Sequence, residues 1–359
     1  GVSIGSIELT LTAIFSGTAF GQIIFGPLSD RFGRKPVILV ALCLFGASTT
    51  IVAHTNTLEP IIFWRFVQGV VLASGRIIAN AAARDQYEGE RLGKIISLIF
   101  IVSVSASVFN AMFGGFLITH FSWQSLFLVM TFYAVCLFVA VLIFFKETLS
   151  EKDPTAINPT RLLNNFATVF SNREFVTCML SGGFALGGFI AFLSSSSGIA
   201  RSVFGLEAQT YSYYFAGVIV VLLLITSISS RIVHRFGIHP LIITGGIFQA
   251  LGGASMLIFV LIGFEKPWSV FVPMGVFAIG FSFFYPLSTA RALTPFKTTA
   301  GTASSLLGFL QSLLGAAVSA LLALYIDGTA FPMATAIVIC GVASASIYNL
   351  ILNRSNALY

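Results

Sequence analysis

Two groups of residues could do chemistry in a chain that is otherwise overwhelmingly apolar. The first is Gly26 to Pro36, GPLSDRFGRKP, where one acid, Asp30, stands among Arg31, Arg34 and Lys35, with Gly26 and Gly33 close by. The glycines permit close backbone approach and positive φ, and Pro36 suits the first turn of a helix. Charges of this density cannot enter hydrocarbon, where each costs roughly 2.5–3.5 kcal/mol at the bilayer centre. The segment therefore reads as a short loop at a membrane surface, and a loop of this kind can also serve only to set topology.

The second group is Arg65, Gln68, Arg76 and Asn80. At 100° per residue the four fall within about 120° of one another on a helix, forming one polar stripe along an apolar segment. Arginines away from helix ends belong in a bundle interior or a watery cavity rather than in lipid; snorkelling to opposite surfaces is the alternative. Asn110, Gln249, Tyr285, Gln311 and the run Ser194 to Ser197 also lie deep in apolar stretches. Gln249, Tyr285 and Gln311 are candidates to line a mostly apolar small-molecule site. Ser304, Gly308, Gln311, Gly315 and Ser319 share a face, as do Gly183 and Gly187; small faces of this kind pack helices closely, and the first could instead line a cavity.

Acids are nearly absent from the apolar stretches, with Glu8 at the extreme end of the first. A proton carrier near neutral pH needs a carboxylate or a histidine, and none falls at the centre of a segment. Cys43, Cys136, Cys178 and Cys340 lie in apolar segments without paired spacing, so they read as buried free thiols, with no metal site and no disulfide. No metalloprotease H-E-x-x-H helix is present, which argues against an enzyme.

The elements that must position these groups are membrane spans. Hydrophobic residues make up 57% and charged residues 9% of the 359, against roughly 45–50% and 25% in soluble domains. Eleven apolar segments of membrane-crossing length run approximately 7–25, 36–53, 58–83, 95–118, 124–145, 175–200, 211–229, 240–262, 268–290, 300–325 and 332–352. A polar linker, 147–173, divides an N-terminal bundle, 1–146, from a C-terminal one, 174–359. Bases recur in alternate loops, so the net charge of +6 is a topology signal and not a nucleic-acid footprint. The positive-inside rule places the signature loop, the linker and the C-terminus in the cytoplasm and Gly1 outside.

The halves repeat. His234, Arg235, Phe236, Gly237, His239 and Pro240 follow the rhythm of the first loop, and Gly301, Ser305 and Leu306 echo Gly93, Ser97 and Leu98. Two related bundles with a site at their interface are the arrangement of a secondary transporter. Six spans per half would be symmetric and the first half shows five, so one helix is expected before Gly1; a true eleven-span chain is the alternative.

Gly26 to Lys35 matches G-x-x-x-D-R-x-G-R-K, and the chain resembles the major facilitator superfamily at this loop. The stretch Leu9 to Pro36, RFVQG at Arg65 to Gly69 followed by Asn80 and Arg84-Asp85, FSWQSLF from Phe121, and ALTPF with AGTASSLLGFLQ up to Gln311 resemble its bicyclomycin and chloramphenicol resistance subfamily of drug/proton antiporters. The resemblance implies an all-α fold of two pseudo-symmetric helical bundles. It implies a cytoplasmic gate in which Asp30 is partnered by Arg84, and a buried Arg65 tied to proton coupling; by their position in apolar spans, Gln68, Arg76, Asn80 and Asn110 are candidates to line a cavity with Arg65. The family's proton-linked aspartate lies on a helix before Leu9. Where the family has Gly-Pro before Gly-Gly, this chain has Asn110-Ala111 before Gly114-Gly115, which removes a kink. The implied function is proton-coupled efflux of phenicol, sulfonamide or bicyclomycin-type molecules across the inner membrane by alternating access. Its partners are substrate, protons and lipid, it needs no cofactor beyond the proton gradient, and it acts as a monomer. A purine or sugar transporter, or an inactive remnant, are the alternatives.

Overall fold

A single residue, Gly33, separates the first two helices. Helix α1 runs Ile4–Phe32 and α2 runs Arg34–His54, so most of the charged segment expected as a loop is helical. Gly33 takes φ 105° and ψ 157°, which a side chain disfavours, while its N–H still donates to Ser29 O at 3.1 Å. Pro36 falls in the first turn of α2, where no intrahelical N–H is needed. The computed structural model describes residues 4–87, 89–264, 266–296, 300–325 and 327–355. Gly1 and Lys297 lie outside the described residues, as do the side chains of Glu8, Lys94, Arg161, Arg231, His234 and Arg354.

The remaining helices are α3 (Leu58–Gln86), α4 (Gly89–His120), α5 (Trp123–Phe144), α6 (Pro159–Phe170), α7 (Arg173–Ser202), α8 (Ala208–Phe236), α9 (Ile238–Leu261), α10 (Trp268–Leu293), α11 (Ala300–Tyr325) and α12 (Phe331–Ser355). Apart from α6 they range from the 21 residues of α2 to the 32 of α4, enough at 1.5 Å per residue to cross about 30 Å of hydrocarbon. Among the described residues ten are long and apolar enough to span, and α4 lies between two of them. Several overrun their apolar segments, α1 continuing past Phe25 to Phe32. Hydropathy measures the hydrocarbon slab alone, whereas helical hydrogen bonding carries on into the aqueous layer. The linker also contains a helix not expected from its polarity: α6, whose Val169 is buried and whose Phe166 packs against the core of the second half.

The sequence repeat is a backbone repeat. Gly237, with φ 80° and ψ 168°, joins α8 to α9 as Gly33 joins α1 to α2. Arg31 lies 5.4 Å over the ring of Phe32, and Arg235 lies 5.6 Å over Phe236.

Inside lipid, helices associate through close packing rather than through the hydrophobic effect, and α1 meets α3 backbone to backbone. A Cβ on Gly17 would stand 2.9 Å from Val70 N, one on Gly21 2.8 Å from Ala73 Cβ, and one on Gly69 2.9 Å from Ile14 C. Along α11, α1 pairs Thr12 Oγ1 with Ser319 Oγ at 3.0 Å, donates from Gln22 Nε2 to Ser312 Oγ at 2.8 Å, and seats Gly26 against Ser305. Gly115 of α4 fits against Ser212 and Ala208 of α8. These two pairings, α1 with α11 and α4 with α8, make the seam between the halves. In the second half α7 is central, packing on α10, α11 and α12 with 67% of its apolar stretch buried, against 6% for α5. Helix α5 is apolar all round and turns its surface to lipid. The expectation of four buried thiols is corrected here: Cys178 and Cys340 are buried, but Cys43 on α2 and Cys136 on α5 are exposed, and in a lipid-facing wall a thiol is simply a small apolar group.

Candidate functional site

Arg34 is the hub of the charged cluster. Its side chain is 7% exposed, and it donates from Nη1 to Asp30 Oδ1 at 2.5 Å and to Ser29 Oγ at 2.7 Å, and from Nε to Asp85 Oδ2 on α3 at 3.0 Å. Such a desolvated guanidinium is tolerable only because its planar fork meets carboxylates with good geometry. From beyond α5, Glu147 accepts the N–H of Arg34 at 3.0 Å and of Lys35 at 3.2 Å, placing an anion where the α2 dipole favours one. Lys35 Nζ donates to Leu142 O at 2.9 Å. The linker closes over this joint: Thr148 Oγ1 donates to Asp85 Oδ2 at 3.0 Å, and the Asp153 N–H donates to Asp30 O at 3.1 Å. One arginine thus clasps α1, α2 and α3, with the linker lying across them.

Partial burial of Glu147 pushes its carboxyl up, but donation from the N–H groups of Leu149, Arg34, Lys35 and Thr148 outweighs it and holds the group below its ordinary 4.5. With the folded value depressed, the contribution of Glu147 is complete above about pH 4.5 and disappears as pH falls through the lower folded value. A nitroxide at exposed Ser150 is therefore expected to stay immobile from pH 7 to about 4.5 and to gain mobility below that. In Glu147→Gln it should be mobile at every pH. An immobile label in that variant would show that the cap does not hold the linker.

In the interior, Arg65 Nη1 donates to Gln68 Oε1 at 3.3 Å, and its guanidinium lies 5.3 Å over the Phe127 ring of α5. Arg65 therefore points into the first half instead of snorkelling, and among the described residues no carboxylate pairs with it. Gln68 is 2% exposed and its Nε2 has no partner. Arg76 is exposed on α3 and acts electrostatically on Tyr285 of α10, which places it toward the second half. Asn80 is half-buried. Across the seam Gln311 is buried beside Gly182 and Ser288, its Nε2 also unpartnered.

Major Facilitator Superfamily sequence patterns match residues 1–320 of the chain. The chain belongs to the major facilitator superfamily. The facilitator is 29% identical over 99% of its length to the bicyclomycin resistance protein homolog of Haemophilus influenzae, covering 89% of that protein. It is 30% identical over 86% of its length to multidrug resistance protein D of Escherichia coli K12, covering 77% of it. Among solved structures, a D-xylose-proton symporter superposes with TM-score 0.76 at 16% identity, over 97% of this chain and 88% of that one. The partially occluded inward-open xylose transporter XylE of Escherichia coli gives 0.74 at 15%, over 98% and 89%. At such identities the likeness concerns the fold.

This facilitator is a multi-pass membrane transporter and not an enzyme. Its clasp differs in detail from the sequence expectation. Arg84 is exposed, and the partner of Asp30 is Arg34, one helical turn away across Gly33; it is Asp85, on the inward face of α3, that reaches the cluster. Gln249 is also displaced from the role assigned to it. It is fully buried between α9, α10 and α12, accepting from Ser344 Oγ at 2.7 Å, and does not line the seam. Asn110 is exposed on α4, next in the chain to Phe109, whose ring stacks on that of Phe113. The small face of α11 proves to be packing: Gly308 fits Gln22, Gly315 fits Ile190 and Ser319 meets Thr12. Ser196 of the serine run holds the Tyr211 hydroxyl at 2.9 Å within the second half.

Sequence reasoning missed Glu147, whose signal was an acid just beyond the fifth span, and Phe127, for which there was none. It also missed a second cluster at the same end of the molecule, in the half where the signature loop has eroded. There Arg291 donates from Nε to Glu174 Oε1 at 2.6 Å and from Nη1 to Tyr348 Oη at 2.8 Å, with His239 Nδ1 3.4 Å from the same hydroxyl. These side chains tie the ends of α7, α9, α10 and α12 as Arg34 ties those of α1, α2 and α3.

Proposed function

We propose that this facilitator exports small, drug-like molecules across the inner membrane in exchange for protons, as a monomer working by alternating access. The observation that carries the reading is the Arg34 clasp at the foot of α1, a helix that also runs along α11 and so couples the clasp to the seam. Residues 1–146 and 174–359 act as the two rocking bodies and 147–173 as the strap joining them. Opening the seam at the clasp end requires the Asp30–Arg34–Asp85 contacts to rearrange. The basic loops put that end in the cytoplasm by the positive-inside rule. Relatives named for bicyclomycin and multidrug resistance support drug export.

The substrates are neutral or weakly acidic compounds of the phenicol or sulfonamide kind. Among the described residues no acid falls in the middle of a span, so a lipophilic cation entering beside Arg65 and Arg76 would leave water without a counter-charge. Arg65, held by Gln68 and Phe127, is the interior charge that proton movement acts upon. Cells expressing the gene are expected to resist phenicols and sulfonamides and to lose that resistance with a proton uncoupler. Unchanged susceptibility, or resistance indifferent to the uncoupler, would remove drug export or proton coupling respectively. Arg65→Leu should lower uncoupler-sensitive efflux at least about tenfold, and Arg65→Lys should restore little of it, because an ammonium lacks the planar surface that lies on Phe127. Native efflux by Arg65→Leu would refute the coupling role.

A further inference from the structure

The aromatic residues of the second half are not scattered. Phe189 of α7 and Phe281 of α10 stack with ring centroids 5.0 Å apart and planes 13° from parallel, and Phe281 stacks on Tyr285 at 5.0 Å and 11°. Among the described residues most aromatic pairs are instead edge-on or tilted, as Phe20 is to Phe66 and to Phe309. Three near-parallel rings make a column, and a column presents flat faces at its ends. The Phe189 and Tyr285 ends are only partly covered by protein. Tyr285 is the member that feels Arg76, the exposed guanidinium of α3 in the other half, so that end of the column looks across the seam.

Polar groups nearby are donors. Phe281, Tyr285 and Ser288 follow one another at helical spacing on α10. Ser288 adjoins Gly182 of α7, where the Gln311 amide also lies. Gln311 is 1% exposed and its Nε2 has no partner, a buried N–H that costs stability until something accepts from it. Gly182 carries no side chain to fill that corner. Guanidinium, amide N–H and phenol all ask for an acceptor from outside, and among the described residues no carboxylate at the middle of a span supplies one.

We propose that the Phe189–Phe281–Tyr285 column, with Arg76 opposite its open end and Gln311 beside it, is the part of the transport site that grips the substrate's ring. It takes flat aryl compounds, uncharged or anionic, that carry accepting oxygens such as nitro, sulfonyl or carboxylate groups. Stacking supplies sequence-independent grip on the ring face. The donors select acceptor oxygens, and the like charge of Arg76 opposes cations that the ring faces alone would attract. The inference rests on the export reading for its physiological meaning, but binding can be measured without transport.

The test uses the full chain in lipid nanodiscs, titrated calorimetrically with 4-nitrobenzamide, 4-nitrobenzoate and tetraphenylphosphonium. Both nitroaryl probes should bind and the phosphonium should not. Phe281→Leu, which keeps apolar volume and removes the middle ring, should weaken both nitroaryl probes about tenfold. Phe283→Leu, a change to a buried neighbour outside the column, should leave both unaltered. Arg76→Gln should weaken nitrobenzoate more than nitrobenzamide. A thermal unfolding midpoint for Phe281→Leu matching that of Phe283→Leu excludes general loss of packing as the cause. Phosphonium binding as tight as nitrobenzamide, or nitroaryl binding indifferent to Phe281→Leu, overturns the column as the ring site. Ring-dependent binding in nanodiscs with no export of any nitroaryl compound from cells leaves the column in place and overturns the export reading instead.

Discussion

Arg34→Leu is expected to abolish transport and to destabilise the folded protein. The substitution strips the fork from two carboxylates at once, and the Asp85 side chain is only 18% exposed, so its charge is left desolvated. Breaking a buried pair by removing one partner costs roughly 3–5 kcal/mol. The lower end applies here, about 3 kcal/mol, because the Asp30 side chain is 48% exposed and water screens it. Asp30→Asn separates function from stability: the amide still accepts a hydrogen bond from Arg34 but no longer holds it by charge. That variant should insert and accumulate nearly as the parent does, yet fail to export. Thermal unfolding in detergent and efflux from everted vesicles check the two effects independently. Normal efflux by Asp30→Asn would remove the clasp from the transport cycle.

Gly69→Leu is expected to be the most damaging single change to the fold. A side chain there meets the carbonyl oxygen of Ile14 on α1, which is backbone and cannot step aside as a flexible side chain would. The cost exceeds the roughly 1–3 kcal/mol of ordinary overpacking, since whole helices must separate. Because α1 also carries the contacts to α11, the first half would come away from the seam. The measurement is the amount of monodisperse protein recovered from membranes, which should fall to background. Gly75→Leu, six residues along the same helix, has open space around its Cβ position and should be recovered normally. Equal recovery of the two would mean that the α1–α3 approach is not a determinant of assembly.

Much of the architecture was legible in the chain because the bilayer simplifies it. Water is absent from hydrocarbon, so every backbone group must be satisfied within its own segment, and an apolar stretch of adequate length has helix as its sole open-chain solution. The succession of membrane-length helices and the paired turns at Gly33 and Gly237 follow from that rule and from a repeat readable by eye. Boundaries were less legible, since α1 runs on to Phe32 where hydropathy ends at Phe25. Helix α6 was missed because amphipathic surface helices have neither the length nor the apolarity of a span.

The amino-acid sequence by itself determined that this is a membrane transporter, where its spans fall, and that a charged lock and a polar stripe exist. The reason is that those properties depend on composition and on spacing within single helices. Only the tertiary structure decided which charges meet. That Arg34 and not Arg84 holds Asp30, that Glu147 caps α2 from beyond α5, that Gln249 is sealed among α9, α10 and α12 while Gln311 is turned toward Gly182 of α7 and Ser288 of α10, and that Phe189 joins Phe281 and Tyr285 in one column, all depend on how helices distant in the chain rotate against one another. That rotation is set by which small residues let two backbones approach, Gly17, Gly21 and Gly69 among them, and close packing of this kind leaves no periodic signal in the order of the residues.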